Sequence, residues 1–180
     1  MKIQTERLTL RPLCTDDLHA AYKWQSDAES QKYIDTPNTD LSQTAEYLEW
    51  VTSQWQSDHQ TNHCFGIVLE DKLIGEIGCS SGCGKCGRCV KGEVPVGYNI
   101  HRDYFNCGYE MEAVNAVIEY CFSVLNAEKI IMSCDVENIA ELHLIKNLGM
   151  QLRTENEECE YSDGRPFKRN TYFLNNNMYK

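Results

Sequence analysis

The 180 residues predict an α/β fold built on one mixed sheet, in the order β-α-α-β-β-β-α-β-α-β-β. Three observations predict it. Short alternating or wholly apolar runs such as ERLTLRPL and KIIMSCDV read as strands. Longer stretches with apolar residues at helical spacing, GYEMEAVNAVIEYCFSVL above all, read as helices. A strand stands directly before each of the two best helices, while other strands follow one another across tight turns. That is not the repeat of a doubly wound fold.

ERLTLRPL (6–13) alternates and is closed by Pro12. In TDDLHAAYKWQ, Thr15 is the expected N-cap, the first turn is acidic, and Leu18, Ala21, Tyr22 and Trp24 are apolar. DTPNTD is a loop. The second helix runs from about Leu41 to Ser57, capped by Ser42 or Asp40, with Tyr47, Leu48, Val51 and Trp55 at helical spacing. CFGIVLE and KLIGEIG meet at Asp71 as a hairpin, a register that sets His63 and Cys64 opposite Gly78 and Cys79. EVPVGYNI (93–100) is a strand. The helix over 108–125 carries Met111, Val114, Val117, Ile118, Cys121, Phe122 and Leu125 on one face. KIIMSCDV (129–136) is a buried strand, and NIAELHLIKNLG (138–149) is a helix stopped by Gly149. QLRTENEECEYS and RNTYFLNN close the chain as two strands around SDGR.

The length predicts a single domain over 1–180, and 42% hydrophobic with 24% charged residues is ordinary for a globular protein. The formal charge of -10 and the absence of a Lys/Arg cluster argue against nucleic acid as partner and favour cationic ligands. No apolar run has membrane-spanning length, and the N-terminal stretch alternates instead of forming a signal-peptide block. No membrane partner and a cytoplasmic setting are therefore expected, as a monomer or homodimer. Ten cysteines without a secretory signal read as reduced thiols, with Cys121 and Cys134 as small core residues.

The stretch YNIHRDYFNCGYEMEA carries the chemistry. A strand ends, a polar loop follows, and a long helix starts at Gly108. First-turn amides of a helix have no intrahelical partner and sit at the positive end of its dipole, so they suit a phosphate. Gly108 lets an anion approach the backbone.

Together with TERLTLRPL and DVENIAELHLIKNLGM, this stretch resembles the GNAT superfamily of acyl-CoA-dependent N-acetyltransferases, in the branch typified by the RimJ and RimL ribosomal-protein acetyltransferases. Phe105, Asn106, Cys107, Gly108, Tyr109, Glu112 and Ala113 line up with the branch's W-N-K-G-Y-x-T-E-A loop. Asn138, Ala140, Leu148, Gly149 and Met150 match its N-x-A-S-x-x-x-x-x-K-L-G-F box. The resemblance implies a mostly antiparallel sheet of about seven strands flanked by four helices. It implies acetyl-CoA as co-substrate, the pyrophosphate on Phe105 to Glu110 (with Glu110 in the helix's first turn), and the pantetheine arm along Tyr98, Asn99 and Ile100 and reaching Asn138. The acetyl group would pass to a primary amine, of a small molecule or a protein N-terminus, by direct attack in a ternary complex. Tyr33 is the acceptor-pocket candidate. Four departures matter: Asn106 for a glycine, Cys107 for a lysine, Glu141 for a serine, and Ile145 for the tyrosine that protonates the leaving thiolate. The general acid is thus unassigned. Relatives often carry a glutamate base where Pro95 stands. Glu93, on the same strand face, and Glu76 in GEIG are the candidates here.

CSSGCGKCGRC (79–89) stands apart from this apparatus, as an insertion over 79–92. Cys79, Cys83, Cys86 and Cys89 form either a structural zinc site, with His63 or Cys64 as a replacement ligand, or a loop of free thiols. Two other functions stay open at this point: an acyl-CoA-binding or sensing domain that lost catalysis, and a metal-binding interaction module.

Overall fold

Strand patterning puts eight strands into one sheet in the computed structural model, which describes residues 1–35, 40–81 and 90–179. They are β1 (Ile3–Gln4), β2 (Leu8–Pro12), β3 (Asn62–Leu69), β4 (Lys72–Ser80), β5 (Glu93–Ile100), β6 (Lys129–Asp135), β7 (Gln151–Glu160) and β8 (Pro166–Asn175). Their spatial order is β1-β2-β3-β4-β5-β6-β8-β7. Every pairing is antiparallel except β5 with β6. The expected count of about seven rises to eight because Ile3–Gln4, ahead of the expected first strand, pairs with it as a strand of its own. Thr5 turns the chain there, its hydroxyl accepting from the Leu8 amide at 3.0 Å. The β3–β4 hairpin has the expected register, with Cys64 opposite Gly78 and His63 opposite Cys79.

Among the described residues four helices flank the sheet: α1 (Leu18–Gln25), α2 (Leu41–Trp55), α3 (Tyr109–Ser123) and α4 (Ile139–Asn147). Asp40 caps α2, its carboxylate accepting from Gln43 N–H at 2.9 Å. Thr15 is not the cap of α1. A short 3-10 turn over Thr15–Asp17 precedes that helix, and Asp17 holds its entrance, accepting from the Cys14 amide at 3.0 Å and from both Arg11 terminal nitrogens at 2.7 Å. Burial by itself would raise the Asp17 carboxyl, but the Arg11 and Cys14 hydrogen bonds prevail and hold it low.

Two cores result. The larger lies between the sheet and α3 with α4, where Phe65, Ile77, Val117, Ile118, Ile130 and Met132 are buried. The smaller, of Leu13, Ala21, Trp24, Leu48 and Val51, lies under α1 and α2 on the other face. Cys79 belongs to the larger core. It is 5% exposed, and its thiol is hydrogen-bonded to Cys121, which together with burial pushes it up. His63 is also turned inward, its Nδ1 3.0 Å from the Tyr120 hydroxyl. Cys83, Cys86 and Cys89 lie outside the described residues. Among the described residues no group of three His, Cys, Asp or Glu side chains is placed to hold a metal, and no helix is long and apolar enough to cross a membrane.

Gly75 fixes how closely β4 approaches β5. A Cβ at this position would lie 2.4 Å from the Asn99 carbonyl oxygen and 2.8 Å from the Ile100 Cα. Both are backbone atoms and cannot rotate away. Gly75→Ala is therefore expected to destabilise the fold by about 1–3 kcal/mol, as overpacking does. A thermal midpoint unchanged from the parent would contradict that close approach.

Candidate active site

The sheet opens at β5. Its parallel pairing with β6 covers only Glu93, Val94 and Pro95, opposite Lys129, Ile130 and Ile131. On its other edge β5 stays paired with β4 as far as Ile100 opposite Gly75. Val96 to Ile100 thus face a wedge between β5 and β6. Strand separation beyond Pro95 leaves the backbone on that edge to hydrogen-bond something other than a neighbouring strand.

A cavity of about 620 Å³ occupies this wedge. That volume is in the range of small-molecule sites. Val96, Gly97, Tyr98, Asn99 and Ile100 form one wall; Phe105, Asn106 and Glu110, at the start of α3, form its end. Ser133, Cys134 and Asp135 of β6 and Asn138 to Glu141 at the start of α4 form the opposite wall. The mouth is acidic and aromatic, with Tyr33, Asp35 and Glu137 on one side and Tyr161 on the other. The Tyr33 hydroxyl donates to the Glu137 carbonyl at 3.1 Å, and Tyr161 donates to the buried Asp135 carboxylate at 2.7 Å.

The loop into α3 turns through two left-handed positions. Asn106 has φ 60° and Gly108, the N-cap, has φ 79°, both left-handed. Sequence reasoning missed the residue that braces this loop. Arg7 donates from Nε to Glu112 at 2.7 Å and from a terminal nitrogen to the Cys107 carbonyl at 3.0 Å, and it lies 4.5 Å over the Tyr109 ring. Glu112 also accepts from the Arg7 amide at 2.7 Å and from the Thr5 hydroxyl. Burial alone would raise the Glu112 carboxyl; the Thr5 and Arg7 hydrogen bonds outweigh it and bring it down. Arg7 therefore stands as a cation beside a loop in which Cys107 replaces a lysine.

The two glutamates named from sequence part company. Glu93 is not in the cavity. It is clamped by Arg153 at 2.6 Å and Lys129 at 3.4 Å, at the end of β5 where the strands are still paired. Those partners lie 60 and 36 residues away along the chain, beyond the reach of local pattern. Glu76, which like Glu93 does not line the cavity, lies on the α1–α2 face of β4, paired with Asn99 of the cavity wall. It is half-buried and accepts from the Tyr47 hydroxyl at 3.0 Å, with the Cys64 thiol 3.9 Å away. Burial pushes the Glu76 carboxyl up to about 7, against the lowering effect of hydrogen bonds from Tyr47, Gln25 and Cys64. Asn138 caps α4, its side chain accepting from the Glu141 amide at 3.2 Å. The Ile100 side chain points into the core, so this residue offers the cavity its backbone.

The sequence resemblance pointed to one family, and comparison with known proteins agrees. The acetyltransferase (GNAT) domain family matches residues 7–151. The uncharacterized N-acetyltransferase p20 of Bacillus licheniformis is 31% identical over 165 residues, 91% of this chain and 89% of that protein. YnaD of Bacillus subtilis (strain 168), of the same description, is 30% identical over 161 residues, 88% of each chain. A GNAT-family acetyltransferase structure from Bacillus anthracis superposes with a TM-score of 0.80 at 24% identity, over 97% of this chain and 98% of that one. RimL, a ribosomal L7/L12 α-N-protein acetyltransferase solved with coenzyme A, shares the fold with a TM-score of 0.84 at 15% identity, over 99% of both chains. The chain therefore belongs to the GNAT acetyltransferase family.

Proposed function

We propose that the protein transfers the acetyl group of acetyl-CoA to a primary amine, of a small molecule or a protein N-terminus, by direct attack in a ternary complex. The observation that carries this reading is the separation of β5 from β6 after Pro95, beside the N-terminus of α3. Backbone amides of residues 105 to 110, with Arg7 alongside, suit the pyrophosphate, since a helix start offers unpaired N–H groups and positive potential. The unpaired edge of β5 suits the amide-rich pantetheine arm, and one of its N–H groups is suited to polarise the thioester carbonyl. Support for the donor also comes from neighbours of the same fold. One is RimL with coenzyme A, and another is the microcin C7 self-immunity acetyltransferase MccE, solved with acetyl-CoA and AMP.

Glu76 is the base in this reading. An amine reaches the site as an ammonium ion and must lose a proton before it can attack, and a carboxyl titrating near 7 is matched to that task at neutral pH. Tyr47 holds it in place. The acidic mouth, with Asp35, Asp135 and Glu137 against Lys32 and Arg169, favours a cationic acceptor. Acceptors on trial would be polyamines, aminoglycosides, amino acids and ribosomal-protein N-terminal peptides, each with acetyl-CoA, read by thiol release and by the mass of the acetylated product. Binding of acetyl-CoA with no transfer to any of them would reduce the protein to an acyl-CoA binder.

Glu93 has a different role in this reading, as a brace for β5, β6 and β7. Glu93→Gln is expected to keep turnover within about twofold of the parent and to lower the thermal midpoint slightly, since partly exposed ion pairs contribute little. A drop in turnover on the scale of base loss would return the role to Glu93.

A further inference from the structure

We propose that Glu141 is the general acid of the reaction, passing its carboxyl proton to the coenzyme A sulfur as the carbon–sulfur bond breaks, with Tyr98 as the residue that positions it. The inference rests on the acetyl-transfer reading above. Ile145, where the resemblance calls for a tyrosine acid, is 1% exposed and packed in the core, so that role is vacant on α4. Glu141 stands one turn earlier, in the α4 wall of the cavity that faces β5. Its backbone is pinned by the Asn138 cap at 3.2 Å, and its carboxyl receives a hydrogen bond from the Tyr98 hydroxyl on β5.

The surroundings favour the protonated form of this carboxyl. Tyr98 faces it from β5, Glu110 from α3 and Cys134 from β6, and among the described residues no cation acts on it. Burial raises the Glu141 carboxyl to about 7, the Glu110 charge adds to that, and the Tyr98 hydrogen bond opposes it. Burial and Glu141 in turn push the Tyr98 hydroxyl far up and the Cys134 thiol up to about 12, which leaves Glu141 the readiest proton donor in this wall. An alkyl thiol titrates near ~8.5, so transfer from Glu141 to the departing sulfur runs downhill.

The step balances as follows. The amine lone pair forms the nitrogen–carbon bond, the carbon–sulfur bond breaks, and its electron pair goes to sulfur. The ammonium first gives one proton to Glu76, which releases it to water. After attack sulfur takes the Glu141 proton, and the remaining surplus proton of the nitrogen leaves through the regenerated Glu76 carboxylate. The Glu141 carboxylate regains a proton from water once the products have gone.

Turnover at saturating acetyl-CoA should then fall as pH rises above about 7, when Glu141 loses its proton. Glu141→Gln should flatten that alkaline limb and lower kcat about tenfold. The effect is smaller than loss of a base, because a thiolate is already a tolerable leaving group. Coenzyme A affinity by calorimetry should be unchanged. Tyr98→Phe removes a hydrogen bond that lowers the Glu141 value, so it should move the alkaline limb to higher pH without erasing it, an effect a purely structural role would not produce. A Glu141→Gln protein with the parental kcat and an intact alkaline limb would overturn the assignment, and so would a loss traced wholly to coenzyme affinity. If the parent protein transfers acetyl to no amine, the acetyl-transfer reading fails first. Parental transfer with an indifferent Glu141→Gln removes only the acid.

Discussion

Glu76→Gln is expected to lower turnover by about 10²–10³-fold while leaving acetyl-CoA affinity unchanged, in the range typical of a lost general base. The substitution keeps the shape of the side chain and an acceptor oxygen for Tyr47, so the polar cluster under α1 and α2 survives. The pH dependence identifies the group. Because burial raises this carboxyl to about 7, the acid-side limb of kcat/KM for the amine, the rise with pH towards about 7, should be present in the parent and lost in the variant. Turnover in Glu76→Gln equal to the parent at every pH would remove Glu76 from the mechanism.

The same group links activity to stability. Its folded-state value lies above the ordinary 4.5, so the stability contributed by the protonated form is fully present below about 4.5 and is lost as pH rises through about 7. Glutamine resembles the protonated carboxyl and cannot ionise. Glu76→Gln should therefore melt higher than the parent at pH 8 and alike at pH 4, a poorer enzyme in a more stable fold. Equal melting at pH 8 would mean that Glu76 is already solvated in the folded protein.

How far the sequence was legible depends on the range of each interaction. Periodicity placed α2, α3 and α4, and the turn at Glu70 and Asp71 set the His63–Cys79 register, because both are local properties. The helix start at Gly108 was legible for the same reason. Strand alternation put Glu93 and Pro95 on one face of β5, yet alternation says nothing about which end of the strand meets the cavity. Arg7 and Glu112 are 105 residues apart, and only folding joins them. Cys79 read as part of a cysteine cluster because of the residues that follow it, whereas its side chain follows β4 into the core. Glu141 was visible as a departure from the family pattern, but its meaning depends on Tyr98 and Glu110, which come from other elements.

Gly108→Val is expected to weaken coenzyme A binding by about 10²-fold or more in a protein that still folds. Gly108 sits at φ 79°, where a β-branched residue costs about 1–3 kcal/mol, and a Cβ there would stand 3.4 Å from an Arg7 terminal nitrogen. Valine therefore has to move the loop, displace Arg7 or do both, and each outcome spoils the anion site at the head of α3. Two companions separate the causes. Gly108→Asn tolerates the left-handed backbone, as Asn106 at φ 60° already does, so it should recover most of the stability while its side chain still crowds the phosphate. Arg7→Gln keeps Gly108 and removes the cation together with its hydrogen bonds to Glu112 and the Cys107 carbonyl. It should weaken binding several-fold at low salt and much less at high salt, where screening has already discounted the charge. Calorimetric titration of all three proteins with coenzyme A decides the matter: a folded Gly108→Val protein with the parental Kd would show that the pyrophosphate is held elsewhere.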